Sequence, residues 1–282
     1  MLTLAIGLAM AAATHAEMLD RPDGRVAYEV IGSRGQIALC APGIGDVRAQ
    51  YRFLAPALVA AGYRVVLMDL RGLGDSTADF ASYSADAIGE DMVALLNTLG
   101  AEHATIIGNS ASAASAVWAA AAMPDVVSNI VLIGPFVREM PTAWYQRAML
   151  NVAFRGFWAR PAWLAYYSSL YPTGKPDDFG AYKAALSASL DGRMRVVNAM
   201  LSASKAASEA KLDDVKARVL VVMGSRDPDF ANPADEALLV AKRLNGGVLM
   251  VDGAGHYPHA EMPDKTAPPI VAFLQHGATD GR

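Results

Sequence analysis

Gly108-Asn109-Ser110-Ala111-Ser112 falls between an apolar run, Ala104-Thr105-Ile106-Ile107, and an alanine-rich segment that continues to about Ala122. The run reads as a buried strand and the alanine-rich segment as a helix, so the pentapeptide is the corner between them. A corner this tight forces the serine backbone into a strained conformation and leaves its hydroxyl standing above the sheet. Small residues two before and two after the serine, here Gly108 and Ser112, avoid a clash between strand and helix. Gly and Ser are common residues, and the pentapeptide carries weight only through its setting and through partners downstream.

Working outward, apolar runs alternate with helical patterns. Arg25 to Ile31 alternates like a strand after the turn Pro22-Asp23-Gly24, and a short strand is expected before it, around Glu17 to Leu19. Ile37 to Ala41, Tyr63 to Met68, Ala104 to Ile107, Ile130 to Ile133, Arg218 to Met223 and Gly247 to Val251 are short and almost wholly apolar. Arg48 to Ala61 has helical spacing closed by Gly62, and Ser84 to Leu99 a helix closed by Gly100. Strands this uniformly apolar, alternating with helices, indicate an α/β fold whose parallel sheet is covered on both faces.

The alternation breaks between about Val137 and Val215. That stretch lacks a convincing strand, is punctuated at Pro141, Pro161, Pro172-Thr173-Gly174 and Asp191-Gly192, and holds a dense aromatic set that includes Trp144, Phe157, Trp158 and Trp163. A helical insertion between two strands must cross the loop end of the sheet, where ligands bind in such folds. The expected organisation is therefore a core of residues 14–136 and 216–282, a helical cap of residues 137–215, and an apolar extension of residues 1–13. Most of the aromatics are expected to form the cap's own core. Trp144, Phe157, Trp158 and Trp163, with Tyr257 from the core, are the candidates for lining a substrate pocket.

A serine hydroxyl is a poor nucleophile until a base takes its proton, and the base is best a histidine oriented by a carboxylate. His256 lies in Asp252-Gly253-Ala254-Gly255-His256, directly after the last apolar strand. Asp227 lies in Gly224-Ser225-Arg226-Asp227, directly after the strand before it. The chain order Ser110, Asp227, His256 is the order that accompanies this corner motif. Ser112 is a rival hydroxyl, though it falls on the helix, and Asp229 and Glu139 are rival acids. His259 is expected on the outer side of its loop and His103 on the surface. Asp46, Arg48 and Arg71 read as loop salt-bridge partners.

Taken together, these features resemble the α/β-hydrolase superfamily from roughly Gly24 to Leu274. Asp69-Leu70-Arg71-Gly72-Leu73-Gly74-Asp75-Ser76 is similar to its D-x-R-G-x-G-x-S loop. Gly255-His256-Tyr257-Pro258-His259-Ala260-Glu261-Met262-Pro263 is similar to its G-H-x-x-x-x-E-x-P ending. The resemblance implies a mostly parallel eight-stranded sheet flanked by helices, with an inserted cap. It implies Ser110 as nucleophile, His256 as base and Asp227 as its orienting acid. It also implies an oxyanion hole from the backbone N–H groups of Ala111 and Ile44. Pro42-Gly43-Ile44-Gly45 stands where many members have His-Gly-x-x, so a side chain that often braces that loop is replaced by Pro42. The implied activity is hydrolysis of carboxylic esters with apolar acyl or aromatic groups through an acyl-enzyme, without cofactor or metal. The Gly-Asn-Ser start also resembles C–C bond hydrolases of meta-cleavage type, which usually carry a longer glycine-rich oxyanion loop. A hydrolase-fold small-molecule sensor with slow turnover stays open as a different class. Members that use an aspartate nucleophile are excluded by Ser110.

Composition bounds the partners. The chain has 282 residues, a net charge of −4 and a single cysteine, Cys40, so it carries no internal disulfide. It has no basic block that would point to nucleic acid. A small-molecule ester is the expected partner, and homodimer formation stays open. Met1 to Ala13 is apolar and Thr14-His15-Ala16 resembles a cleavage site, yet no Lys or Arg precedes the run. The expectation is a cytoplasmic protein, or a secreted or periplasmic one if residues 1–16 are a signal peptide. The run is shorter than the roughly 20 residues that a membrane span takes.

Overall fold

The computed structural model describes residues 16–139 and 153–276. Eight strands form one sheet: β1 (Glu17–Arg21), β2 (Gly24–Ile31), β3 (Ile37–Ala41), β4 (Arg64–Met68), β5 (Ala104–Asn109), β6 (Val127–Ile133), β7 (Arg218–Gly224) and β8 (Gly247–Val251). Their order is β1-β2-β4-β3-β5-β6-β7-β8. β2 runs antiparallel to both β1 and β4, and the remaining pairs are parallel. The expected mostly parallel, eight-stranded sheet is therefore the observed one.

The apolar strands follow from a sheet covered on both sides. Successive side chains point to opposite faces, and each face has its own core. Leu39, Val66, Ile106, Leu132 and Val221 pack with Met92, Leu95 and Leu96 of α2 (Ala85–Thr98) and Val117 of α3 (Ser112–Ala122). Cys40, Val65, Ile107, Val131 and Val222 pack with Leu54 and Leu58 of α1 (Leu54–Ala60) and with the C-terminal helix Pro263–His276 through Ile270 and Leu274. Each such leucine, fully withdrawn from water, contributes about 1.5–3 kcal/mol. Pro268 and Pro269 lie inside the C-terminal helix, where proline ordinarily breaks the backbone ladder. Burial of Ala267, Ile270 and Leu274 keeps the segment helical.

One expected element divides. Arg48 to Ala61 is a 3₁₀ turn, Arg48–Tyr51, followed by the separate helix α1. The break turns Gln50 and Tyr51 inward, both fully buried.

Between β6 and β7 the described residues are helical: α4 (Ala159–Ser169), α5 (Phe179–Ser189) and α6 (Met194–Ser202), then a short turn Ala206–Glu209. They lie over the loops at the carboxyl ends of the strands. Leu170 O accepts the His256 N–H at 3.0 Å, Tyr182 Oη donates to Asp46, and Arg193 donates to Gly72 O and Ser76 O at 2.8 Å each. The helix between β7 and β8, Pro233–Arg243, is capped by Asn232, whose Oδ1 accepts the Asp235 N–H. No described helix is long and apolar enough to cross a membrane.

Candidate active site

Ser110 directly follows β5 with φ +58°, a left-handed conformation that costs a non-glycine residue energy. Its N–H donates to Ile133 O at 2.8 Å, and its carbonyl accepts from Phe136 N at 3.1 Å, so β6 and the loop after it hold the strained residue in place. Directly before the corner, a Cβ on Gly108 would lie 2.6 Å from Ser112 O. This is the strand–helix clash that a small residue avoids. Ser112 is buried and spends its hydroxyl on Pro42 O at 2.5 Å, which removes it as a rival nucleophile.

His256 and Asp227 meet beside this corner. Asp227 Oδ2 lies 2.7 Å from His256 Nδ1, while Asp229 Oδ2 is 3.7 Å from the same nitrogen. Both members of the closer pair are at most 2% exposed. Asp227 Oδ1 accepts the Asp229 N–H at 3.0 Å, and Tyr166 Oη from α4 donates to both Asp229 oxygens, at 2.7 and 2.8 Å. Glu139 is exposed and bonds to Ser204 and to the Lys205 N–H, away from the imidazole. Burial disfavours the charged imidazole, but the Asp227 carboxylate, and then that of Asp229, outweigh it and raise His256 to about 9. His256 Nε2 is buried and has no hydrogen-bond partner among the described residues. Asp227, Asp229 and His256 offer three ligand atoms within 4.8 Å of one another. Hydrogen bonds from His256, Tyr166 and a backbone N–H already use these carboxylates, an arrangement that suits proton transfer better than cation binding.

Two glycine-lined approaches keep the site compact. Gly134, after β6, has φ +52°, and a Cβ there would lie 2.9 Å from His256 Nδ1 and 3.2 Å from Asp227 Oδ2. On the other side, a Cβ on Gly43 would lie 3.2 Å from Ser110 Cβ and 3.5 Å from Tyr257 Oη, so the loop after β3 runs against Ser110. Beyond it, the backbone N–H groups of Ile44 and Ala111 have no partner among the described residues. Both residues line a cavity of about 20 Å³ with Ser112, Leu70, Met200 and Lys205.

A sequence profile of the Alpha/beta hydrolase family matches residues 38–268. The chain belongs to the alpha/beta hydrolase family. It is 27% identical over 220 residues to 2-(acetamidomethylene)succinate hydrolase of Mesorhizobium japonicum, covering 75% of this chain and 78% of that one. It is 30% identical over 236 residues to 2-hydroxy-6-oxononadienedioate/2-hydroxy-6-oxononatrienedioate hydrolase 2 of Pseudomonas putida, covering 78% and 79% of the two chains. Among solved structures, an esterase from a Rhodococcus species superposes with a TM-score of 0.77 at 24% identity, covering 94% of this chain and 99% of that one.

Several residues of this alpha/beta hydrolase take positions that its sequence did not disclose. Gln50 is buried at the hub of a network. Its Oε1 accepts the Gly43 N–H at 3.0 Å, and its Nε2 donates to Asn109 Oδ1 at 2.9 Å and lies 3.0 Å from His259 Nε2. Asn109 Nδ2 in turn donates to Ile133 O and His256 O. Gln50 thus braces the loop that Pro42 leaves without a histidine. His259 was expected outside; it is buried, stacked on Tyr51 with ring centroids 5.1 Å apart. Its Nε2 must accept from Gln50, so the ring is neutral, and burial, helped by the His256 charge, lowers its pKa to about 3. Glu261 accepts the N–H groups of Gly255, Thr173 and Gly174 at 2.6 to 2.9 Å, pinning the His256 loop to the loop between α4 and α5.

Arg48 pairs with Asp69 and Asp75, and Arg71 with Asp91, as expected of loop salt bridges. Asp46 departs from that expectation. It is fully buried under Tyr182, and burial raises its pKa to about 6. His103 is exposed. Of the pocket candidates, Tyr257 is buried against the His256 ring at 5.3 Å. Trp163 fills the space a side chain on Gly45 would need and packs on Phe154 and Tyr166. Phe157 and Trp158 correct the expectation: they are 90% and 45% exposed, edge to face with each other ahead of α4. Trp144 lies outside the described residues. A larger open groove of about 550 Å³, between Phe154 and Asn198, is lined by none of the described candidates Phe157, Trp158, Trp163 and Tyr257.

Proposed function

We propose that this chain is a serine hydrolase of carboxylic esters. The reading rests on Ser110 in a left-handed corner, on a His256 imidazole held at Nδ1 by Asp227 with no partner for Nε2 among the described residues, and on the N–H groups of Ile44 and Ala111, which likewise have no partner among the described residues. Ser110 Oγ attacks the ester carbonyl while His256 Nε2 takes its proton. Asp227 fixes the tautomer and stabilises the imidazolium. The two N–H groups take the charge that develops on the carbonyl oxygen. Collapse expels the alcohol with the proton from His256, and a water activated by the same imidazole hydrolyses the acyl-enzyme. These steps use side chains and backbone alone.

The helical segment between β6 and β7 acts as a cap in this reading. Its bonds to the His256, Asp46 and Gly72 loops support that role. The cavity beside Ile44 and Ala111 has mostly apolar walls, including Leu70, Ile88 and Met200, and would take a short apolar acyl stem. The relative named for a 2-hydroxy-6-oxononadienedioate substrate favours C–C bond hydrolysis as a second reading, with the Gly-Asn-Ser corner serving it equally.

A panel of alkyl and aryl esters of increasing acyl length, run beside a vinylogous diketone, separates the two. Ester turnover that Ser110→Ala abolishes supports the first reading. Turnover of the diketone alone supports the second.

A further inference from the structure

We infer that Tyr166 is a positioning residue that selects the acid of the catalytic pair: by engaging both oxygens of Asp229 it withholds that carboxylate from His256 and leaves Nδ1 to Asp227. This deepens the serine hydrolase reading and rests on it. Two carboxylates separated by Pro228 face one nitrogen, Asp227 Oδ2 at 2.7 Å and Asp229 Oδ2 at 3.7 Å. The second lies just beyond hydrogen-bond range, and a shift of about 1 Å would close the gap. Burial opposes the imidazolium and both carboxylates favour it, so charge alone does not choose between them. The rings of Phe136, Phe230 and Tyr257, centred 5.3 to 6.4 Å from the imidazole, bring no further carboxylate.

Their other partners do choose. Asp227 Oδ1 accepts the Asp229 N–H at 3.0 Å, which leaves Oδ2 for the imidazole. Asp229 accepts one hydroxyl at both oxygens, Tyr166 Oη at 2.7 and 2.8 Å, and its side chain has no other hydrogen bond among the described residues. Burial, and then the Asp229 carboxylate, hold the Tyr166 hydroxyl well above the ordinary tyrosine value, so it stays a donor. Trp163 and Phe154 pack on its ring, with centroids 5.3 and 6.0 Å away. The helix that carries it, α4, is capped by Leu170, whose carbonyl accepts the His256 N–H at 3.0 Å. One helix thus holds the backbone of the base and the carboxylate that must stay off it. An ionised carboxylate this far withdrawn from water needs a donor. If Tyr166 no longer supplies one, the proton on His256 Nδ1 is within reach.

The test has two arms. In the first, kcat for an aryl ester is measured in Asp227→Ala, which vacates the position at Nδ1, and should fall by roughly 10⁴. Adding Tyr166→Phe keeps the ring but removes the donor, and the released Asp229 should restore kcat by about tenfold or more over Asp227→Ala. Adding Asp229→Asn as a third change should abolish that gain. A double variant no faster than Asp227→Ala overturns the proposal, as does a gain that survives Asp229→Asn. In the second arm, the double variant Asp227→Ala, Tyr166→Phe is crystallised. Asp229 Oδ2 within about 3.2 Å of His256 Nδ1 is expected; a carboxylate beyond that distance overturns the proposal. If the wild type hydrolyses no ester, the ester reading fails by itself and the crystal structure still decides the role of Tyr166.

Discussion

The Gln50 side chain accepts the backbone N–H of Gly43 at 3.0 Å, and through that bond a residue of the 3₁₀ turn sets the loop that carries Ile44 past Ser110. The same amide donates to Asn109, the residue before Ser110, and faces His259. Truncation strands three buried polar groups at once, and each orphaned donor or acceptor costs about 1–3 kcal/mol. Gln50→Ala should lower the urea midpoint at constant slope and reduce kcat more than it raises KM. Gln50→Glu should do the same, because a carboxylate cannot donate to Asn109 Oδ1. A kcat within twofold of wild type in both variants would remove Gln50 from the site's support.

Asp227 and Asp229 both face His256 Nδ1, at 2.7 and 3.7 Å, and divide two roles. Asp227→Asn should cost roughly 10⁴ in kcat, since the amide stabilises the wrong tautomer. Asp229→Asn should cost far less and should act on the pH profile. The base form of His256 is neutral, so kcat/KM rises with pH through its titration, which the two carboxylates raise to about 9. Removing one negative charge destabilises the imidazolium, and the acid limb of the profile moves to lower pH. A limb that stays in place or moves up would contradict this division. Stability follows the same linkage. The folded pKa lies above the unfolded value, so the pair's contribution is complete below about 6.5 and is lost as pH rises through about 9.

How far the sequence disclosed this arrangement depended on the kind of signal. Strands such as Ile37–Ala41 and Arg218–Gly224 were legible because a sheet buried on both faces leaves an unbroken apolar run. Ser110, Asp227 and His256 were legible because each lies in the loop that follows such a run, and the structure brings the last two into contact. Gln50 was hidden because a buried amide in a helical-looking stretch has no period of its own. His259 was hidden because the short turn Pro258–Glu261 redirects it inward, and spacing alone does not show which side of a single turn faces the core. Phe157 and Trp158 failed for a related reason: aromatic density marks a segment, whereas the exposure of each ring depends on where the chain bends before α4.

Ser110 pays a conformational cost for its position, and that cost is measurable apart from chemistry. Ser110→Ala should lower ester turnover by roughly 10⁴ or more and abolish fluorophosphonate labelling, with the fold retained. Ser110→Gly should be as inactive yet no less stable than Ser110→Ala, because glycine accepts φ +58° without strain. Persistent labelling in either variant would place the nucleophile elsewhere. A lower melting temperature for the glycine variant would show that the corner stores little strain.

Gly134 tests whether the His256–Asp227 pair depends on the backbone beneath it. The residue directly follows β6, its N–H donates to Val222 O at 2.9 Å, and its φ is +52°. A Cβ added there would sit 2.9 Å from both Cε1 and Nδ1 of the imidazole and 3.2 Å from Asp227 Oδ2. Neither neighbour can yield easily, because the Nδ1 bond, the Leu170 O bond to the His256 N–H and the Glu261 bond to Gly255 hold the ring and its loop. Gly134→Ala therefore meets a steric cost and a backbone cost together. Left-handed strain and a displaced ring should reduce stability by about 1–3 kcal/mol. A 1 Å displacement of a catalytic group can cost about 10²-fold in rate, so kcat should fall by at least tenfold. Urea denaturation and steady-state kinetics on one preparation check both numbers. Loss of stability with unchanged kcat would mean that the pair moves as a unit and retains its aim at Ser110, and the tight fit over Gly134 would then serve folding alone.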